Sequence, residues 1–375
     1  MSKVEAEQQR IVVKIGSSSL TNSEGGLNLE RLEYYATEIA SLQKSGYQML
    51  LVTSGAVAAG FKAIGFDERP RALYEKQASA AVGQALLMRA YQESFARHGI
   101  VAAQILLTRA DFSERQRVNN ALMTIEELLK RGVIPVVNEN DTVSVDEIKL
   151  KFGDNDKLSA LAANLVKACK LLILTDTDGL YTADPRLDTA ARRIERVDQI
   201  NDSIFDIAGG AGTSVGTGGM RSKIEAARIA TRGGIPVFVG KAAHPGDLAA
   251  ACAGHGKGTY FDTALHSLPI KKQWVGFHSI PEGCIHIDQG AATAMLHQGR
   301  SLLPAGVTEV NGDFHPGDVV EVADPTGAII GRGVVNYEAW QLRAAAGFNS
   351  DEVKRRVDVH RIEVIHRDEW IGLQP

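Results

Sequence analysis

Cysteine is scarce in this chain of 375 residues. Cys169, Cys252 and Cys284 stand far apart, with no CxxC and no other metal-ligand spacing. A disulfide framework is therefore not expected, and the thiols fit a reducing, cytoplasmic setting. No run of about 20 apolar residues occurs, the length that a membrane-spanning helix requires. The N-terminal MSKVEAEQQR is polar and carries acids, so it is not expected to act as a signal peptide. Positive charge is not in excess either. Lys and Arg total 41 against 45 Asp and Glu, a formal charge of −4 that argues against a general nucleic-acid coat. Residues 1–262 carry 31 of each sign, so the whole imbalance falls in 263–375.

The common nucleotide motifs are missing too. There is no GxxxxGK[ST]; Gly254-His255-Gly256-Lys257-Gly258-Thr259 comes closest and fails, with Gly258 after the lysine. Gly210 and Gly212 form a GxG that no apolar strand precedes. Seven of the ten histidines lie beyond residue 262, dispersed without HxxxH or HxH spacing, and read as surface or turn residues.

What is present is an alternation. Hydrophobic residues at 44% and charged residues at 23% are ordinary for a globular chain, here long enough for two or three domains. Ile11–Ile15, Met49–Thr53, Val101–Leu107, Val133–Asn138, Leu171–Thr175 and Pro236–Val239 are short apolar runs suited to strands buried on both faces. Between them, helical patterns span Asn28–Ser45, Tyr74–His98, Arg115–Arg131, Leu158–Lys167 and Met220–Thr231, with Asn28 as a cap and Gly46, Gly99 and Gly132 as stops. Strands alternating with helices predict an α/β three-layer sandwich around a mainly parallel sheet. Past residue 262 short alternating runs and Gly/Pro turns replace that texture and predict a small all-β barrel. The expected division is 1–262, a linker at 263–280, a barrel at 281–360 and a C-terminal segment at 361–375.

In a parallel α/β sheet, ligands gather at the carboxyl ends of the strands. Polar and glycine residues concentrate there. Lys14 sits inside an apolar strand that ends in Gly16-Ser17-Ser18-Ser19. A buried lysine is costly unless its ammonium meets anions; the bland alternative is an edge strand pointing it at solvent. Thr53-Ser54-Gly55 forms a small-residue turn at a helix start, suited to an anion or simply to tight packing. Asn138-Glu139-Asn140-Asp141 and Gly153-Asp154-Asn155-Asp156-Lys157 offer amides and carboxylates to a polar, amine-bearing ligand. Asp156 as a plain helix cap would explain one residue of the second group, not all. Thr175-Asp176 follows another strand. Gly216-Thr217-Gly218-Gly219-Met220-Arg221-Ser222-Lys223 opens a helix with free backbone N–H groups and a mobile cation, unless it is only a flexible loop. Two lysines, glycine-rich helix starts and several carboxylates suit phosphoryl transfer, which needs positioning and positive charge rather than a covalent nucleophile. The residues point to an ATP-using kinase without a P-loop and leave its acceptor open.

The segments VVKIGSSSL, LVTSGAVAAG, LLTRADF, IPVVNENDTV, FGDNDKLSALAA, LLILTDTDGLYTADPR and GTGGMRSKIEAA resemble, in order and spacing, the glutamate 5-kinase family of the amino acid kinase superfamily. ATAMLHQGRSLLPAGV resembles that family's appended PUA domain. The resemblance implies ATP-dependent phosphorylation of L-glutamate to L-glutamate 5-phosphate, the first step of proline synthesis. It implies that Lys14 and Lys223 stabilise the transferring phosphoryl group and that Asp156 orients them. Ser54, Asp141, Asn155 and Asp154 would hold glutamate. Thr175 and Asp176, with Thr217, Gly218, Gly219, Met220, Arg221, Ser222 and Lys223, would bind ATP. Mg²⁺ would bridge the phosphates with no assigned protein ligand. Proline would compete at the Asn140–Asp156 stretch, and the chain would form a homodimer or homotetramer. Arg221 departs from the small residue usual there and is expected to point outward. A superfamily kinase for acetylglutamate, aspartate or uridylate stays open as an alternative. The acidic balance of 263–375 disfavours RNA binding by the barrel, for which a role in oligomerisation or regulation is preferred.

Overall fold

The computed structural model describes residues 10–22, 24–144, 155–185, 187–208, 219–263, 281–359 and 361–372. They divide into two compact units, each with its own sheet. The first sheet has eight strands: β1 (Arg10–Ile15), β2 (Gln48–Thr53), β3 (Ala102–Leu107), β4 (Ile134–Glu139), β5 (Lys170–Leu174), β6 (Arg196–Val197), β7 (Val237–Gly240) and β8 (Gly258–Phe261). Their order is β3-β4-β2-β1-β5-β7-β8-β6, parallel except for the β7–β8 pair. β1 is central, flanked by β2 and β5, which removes the edge-strand alternative for Lys14. All six β1 residues are buried, Arg10 and Lys14 together with the four aliphatic ones.

Strand side chains alternate between faces. Ile11, Val13 and Ile15 pack with Leu32, Tyr35 and Ile39 of the Leu29–Lys44 helix and Leu87, Tyr91 and Phe95 of the Leu73–Ala96 helix. Lys14, out of phase with them, faces the other side, where the Asn155–Leu165 helix covers β1 and the Met220–Arg232 helix packs on it. That two-residue period alone selects the face on which the chemistry can assemble.

Local rules account for most boundaries. The Asn28 side chain accepts a hydrogen bond from Arg31 N at 3.0 Å, capping its helix. Gly60 and Gly83 let the Ala56–Gly60 and Leu73–Ala96 helices touch backbone to backbone. A Cβ on Gly83 would lie 1.8 Å from Ala56 O. One boundary moves with consequence: the helix expected at Leu158–Lys167 runs Asn155–Leu165. Asn155 and Asp156 are its first turn, not a loop before it. An acid is favoured there by the helix dipole, so polarity did not mark the end of the helix.

The second sheet holds β9 (Gly283–Ile287), β10 (Val307–Gly312), β11 (Val319–Ala323), β12 (Ile329–Val335) and β13 (Ile365–Gly372), in the order β10-β9-β11-β12-β13. β9 and β11 are parallel; the other pairs are antiparallel. The sheet therefore runs past residue 360, where the sequence reading ended it. β13 escaped notice because the polar stretch His366–Glu369 interrupts its apolar alternation. Three short helices accompany the strands, Gln289–Gln298, Ala339–Ala345 and Ser350–Arg356, where only strands were expected. At seven to ten residues they hold too few turns for a helical period to stand out. Ile285, Phe314, Val320, Val322, Tyr337 and Leu342 form this unit's core.

Candidate active site

The carboxyl end of β1 delivers Lys14 to a buried carboxylate. Asp156, with no exposed surface, lies between two ammonium groups: Lys14 Nζ meets its Oδ1, and Lys223 Nζ stands 3.2 Å from its Oδ2. Both lysines are over nine-tenths buried. Ser222 Oγ donates to the same Oδ2 at 2.8 Å and to Gly219 O at 3.0 Å, binding the glycine-rich helix start to the cluster. Burial alone would push the Asp156 carboxyl up. The charges of Lys14 and Lys223 outweigh it and hold the carboxyl well below the usual carboxylate range. Counted over these three described residues, one carboxylate and two ammonium groups carry one net positive charge, a setting that suits an anion. Gly16 follows at once, and a Cβ there would stand 3.4 Å from Lys14 Nζ, in ordinary contact with it.

Beside the lysines lies an amide-lined recess. Asn155 Nδ2 donates to Thr53 O and Ser54 Oγ, both at 2.8 Å, and to Asn138 Oδ1 at 3.0 Å. Its own Oδ1 is buried with no hydrogen-bond partner among the described residues. A buried acceptor left this way costs roughly 1–3 kcal/mol and invites a donor such as a ligand ammonium. Asn138 Nδ2 donates onward to Gln84 Oε1 at 2.8 Å, and Gln84 Nε2 to Gln104 Oε1 at 2.9 Å. Gln84 and Gln104 line a cleft with Glu139 and Asp141.

On the other flank, Thr175 follows β5, the neighbour of β1. It keeps Oγ1 3.1 Å from Asp176 Oδ1 and donates its N–H to Gly240 O at 2.9 Å. Gly219 is extended and opens the Met220–Arg232 helix without a side-chain cap, leaving first-turn N–H groups for an anion. Met220 is half-buried. The Arg221 side chain is 63% exposed and lies over the Phe205 ring, 5.5 Å from its centroid, in keeping with the outward direction expected. Asp154, Thr217 and Gly218 lie outside the described residues. Among the described residues no three His, Cys, Asp or Glu side chains converge on a common point.

Residues 9–241 match the amino acid kinase family and residues 283–357 the PUA domain. A glutamate 5-kinase of Bacillus cereus is 48% identical over 368 residues, covering 98% of this chain and 100% of that one. The chain belongs to the glutamate 5-kinase family. A member from Geobacillus kaustophilus is likewise 48% identical, over 98% of both chains. A crystal structure of UMP kinase from Bacillus anthracis covers 68% of this chain and 96% of its own at 16% identity and a TM-score of 0.46, a likeness too slight to bear on fold or acceptor. In this glutamate 5-kinase family chain, sequence reasoning missed Gln84 as a support of the amide recess. A polar residue at a buried position of the Leu73–Ala96 helix was the available signal. It gave no individual role to Asn138, which stands within a polar group that was singled out, or to Glu225, two residues after Lys223.

Proposed function

We propose that the chain transfers the γ-phosphoryl group of ATP to the side-chain carboxylate of L-glutamate. The observation that carries this reading is the Lys14–Asp156–Lys223 cluster, a buried excess of positive charge beside an amide recess. A glutamate carboxylate oxygen attacks the γ-phosphorus; the new O–P bond forms as the bond to the β,γ-bridging oxygen breaks, and that electron pair leaves on ADP. Lys14 and Lys223 approach the transferring group from two sides and offset the charge that spreads over its oxygens. Asp156 holds both ammonium groups in place. The attacking carboxylate is already ionised at neutral pH, so no general base is required, which accounts for a site without histidine.

Ser54, Asn155, Asp141 and Asp154 hold glutamate, with Asn155 Oδ1 accepting from its ammonium group. Thr175, Asp176 and the Thr217–Lys223 stretch hold the nucleotide. Asp156 is engaged by two lysines, so no described side chain is assigned to Mg²⁺, which would be held mainly by the ATP phosphates and would supply charge neutralisation there. The same recess would admit proline as a competing inhibitor and place the enzyme at the first step of proline synthesis. We further assign phosphotransfer to residues 1–262 of a cytoplasmic homodimer or homotetramer. The deciding experiment traps glutamyl phosphate as its hydroxamate, with and without Mg²⁺ and proline, beside acetylglutamate, aspartate and uridylate as acceptors. Product from another acceptor and none from glutamate would overturn the reading.

A further inference from the structure

Lys223 acts only if the first turn of its helix is held at the right rotation, and that helix begins at Gly219 with no side-chain cap. A second ion pair meets the same turn. Glu225 Oε2 lies 2.5 Å from Lys157 Nζ, and each side chain is about one-quarter exposed. Glu225 Oε1 is 3.9 Å from Arg221 Nε, and the Arg221 guanidinium covers Phe205 of the Asp202–Ala208 helix. Arg228, further along the same helix, covers that ring too, at 4.8 Å.

The polarity of the two pairs is the telling feature. The Asn155–Leu165 helix presents acid then base, Asp156 then Lys157. The Met220–Arg232 helix presents base then acid, Lys223 then Glu225. Asp156 pairs with Lys223, and Lys157 with Glu225. A rotation or slip that exchanged partners would set Asp156 against Glu225 and Lys157 against Lys223, two like-charge contacts. Opposed pairs of this kind specify register, the best-attested use of ionic contacts between helices.

We propose that Lys157 and Glu225 are positioning residues for phosphoryl transfer. Their ion pair fixes the register of the Met220–Arg232 helix against the Asn155–Leu165 helix and so places Lys223 Nζ on the transferring group. This rests on the phosphotransfer reading above. Arg221 contributes as the third arm, held over Phe205.

The test uses the full chain and four variants: Glu225→Gln, Lys157→Gln, the double variant and Lys157→Arg. Initial rates are measured with the acceptor that the unmodified chain phosphorylates best, and melting temperature is followed in parallel. A failure of the glutamate reading shows in the unmodified chain and leaves the variant ratios intact. A misplaced catalytic group is expensive, so Glu225→Gln is expected to lower kcat about tenfold with an unchanged KM for the acceptor. The double variant should lose no more than either single one, and Lys157→Arg should keep most of the activity. Unchanged kcat in Glu225→Gln, additive losses in the double variant, or a loss in Lys157→Arg equal to that in Lys157→Gln would each overturn the proposal.

Discussion

The eight-stranded sheet and the five-stranded sheet treat polar side chains in opposite ways. Between Arg10 and Thr259 the protein buries Arg10, Lys14, Glu38, Asp156 and Lys223. Among the described residues from 281 onward no charged side chain is buried. Buried charge is costly and persists where partners are complete. Arg10 meets that condition structurally: its guanidinium donates to both Glu126 oxygens, at 2.6 and 2.7 Å, and to Val166 O at 3.0 Å. Glu38 accepts N–H groups from Gly246 and Leu248. The lysine cluster differs because it keeps a surplus charge. In the C-terminal sheet the nearest approach is the half-buried pair of Arg332 and Glu321, 2.8 Å apart. Glu338 caps the Ala339–Ala345 helix and raises the His315 pKa, by a hydrogen bond first and by its charge second. Buried charge thus marks the first unit and is not found among the described residues of the second.

That contrast can be broken at several strengths. The largest expected effect is on catalysis: Lys14→Ala and Lys223→Ala should each lower kcat by about 10²–10³, read by hydroxamate formation. Comparable turnover in both would remove the functional meaning of the cluster. Next, Asp156→Asn keeps the shape but strands two buried ammonium groups and should cost about 3–5 kcal/mol in urea unfolding. Its pH signature has a definite sign. The folded carboxyl is held below its ordinary value, so its contribution is complete above the unfolded value near 4 and is lost as pH falls through the folded value. The unfolding midpoint should therefore fall less steeply between pH 5 and pH 3, as order-of-magnitude bounds, in Asp156→Asn than in the unmodified chain. A smaller effect is expected at the recess: Asn155→Ala should raise the KM for glutamate about tenfold, as loss of a hydrogen bond to a charged group does. The smallest belongs to the other sheet. Glu338→Ala removes a capping box and should cost about 1 kcal/mol while leaving kcat unaltered. A fall in kcat there would blur the division between the two units.

Much of the site was legible. Lys14 stood out as a cation inside an apolar strand, NEND as polar excess after a strand, GDND as a polar group before a helix and TGGM as a glycine-rich helix start. The signal was readable because sheet geometry forces ligands toward the carboxyl ends of the strands. Gln84 was not readable. It lies in a long helix, 54 residues from the Asn138 amide that it accepts from, and its one local mark, a polar residue on a buried helix face, points to no partner. Glu225 resembles any exposed helix acid until Lys157 of another helix is seen beside it. The short C-terminal helices and β13 were hidden because brief elements carry little period.

By itself the sequence determined the alternation of strands and helices, the caps and stops, the change of texture after residue 262 and the membership of a phosphotransferase family. The first three rest on local propensity and on burial patterns a few residues long, the last on the resemblance of its motifs to a known family. The tertiary structure alone decided that β1 is central, that Lys14 turns to the face covered by Asn155–Leu165, and that Asp156 faces two lysines from segments 142 and 67 residues away. Strand order and helix register bring those groups together. Neither is encoded locally, because each depends on which distant surfaces bury one another best.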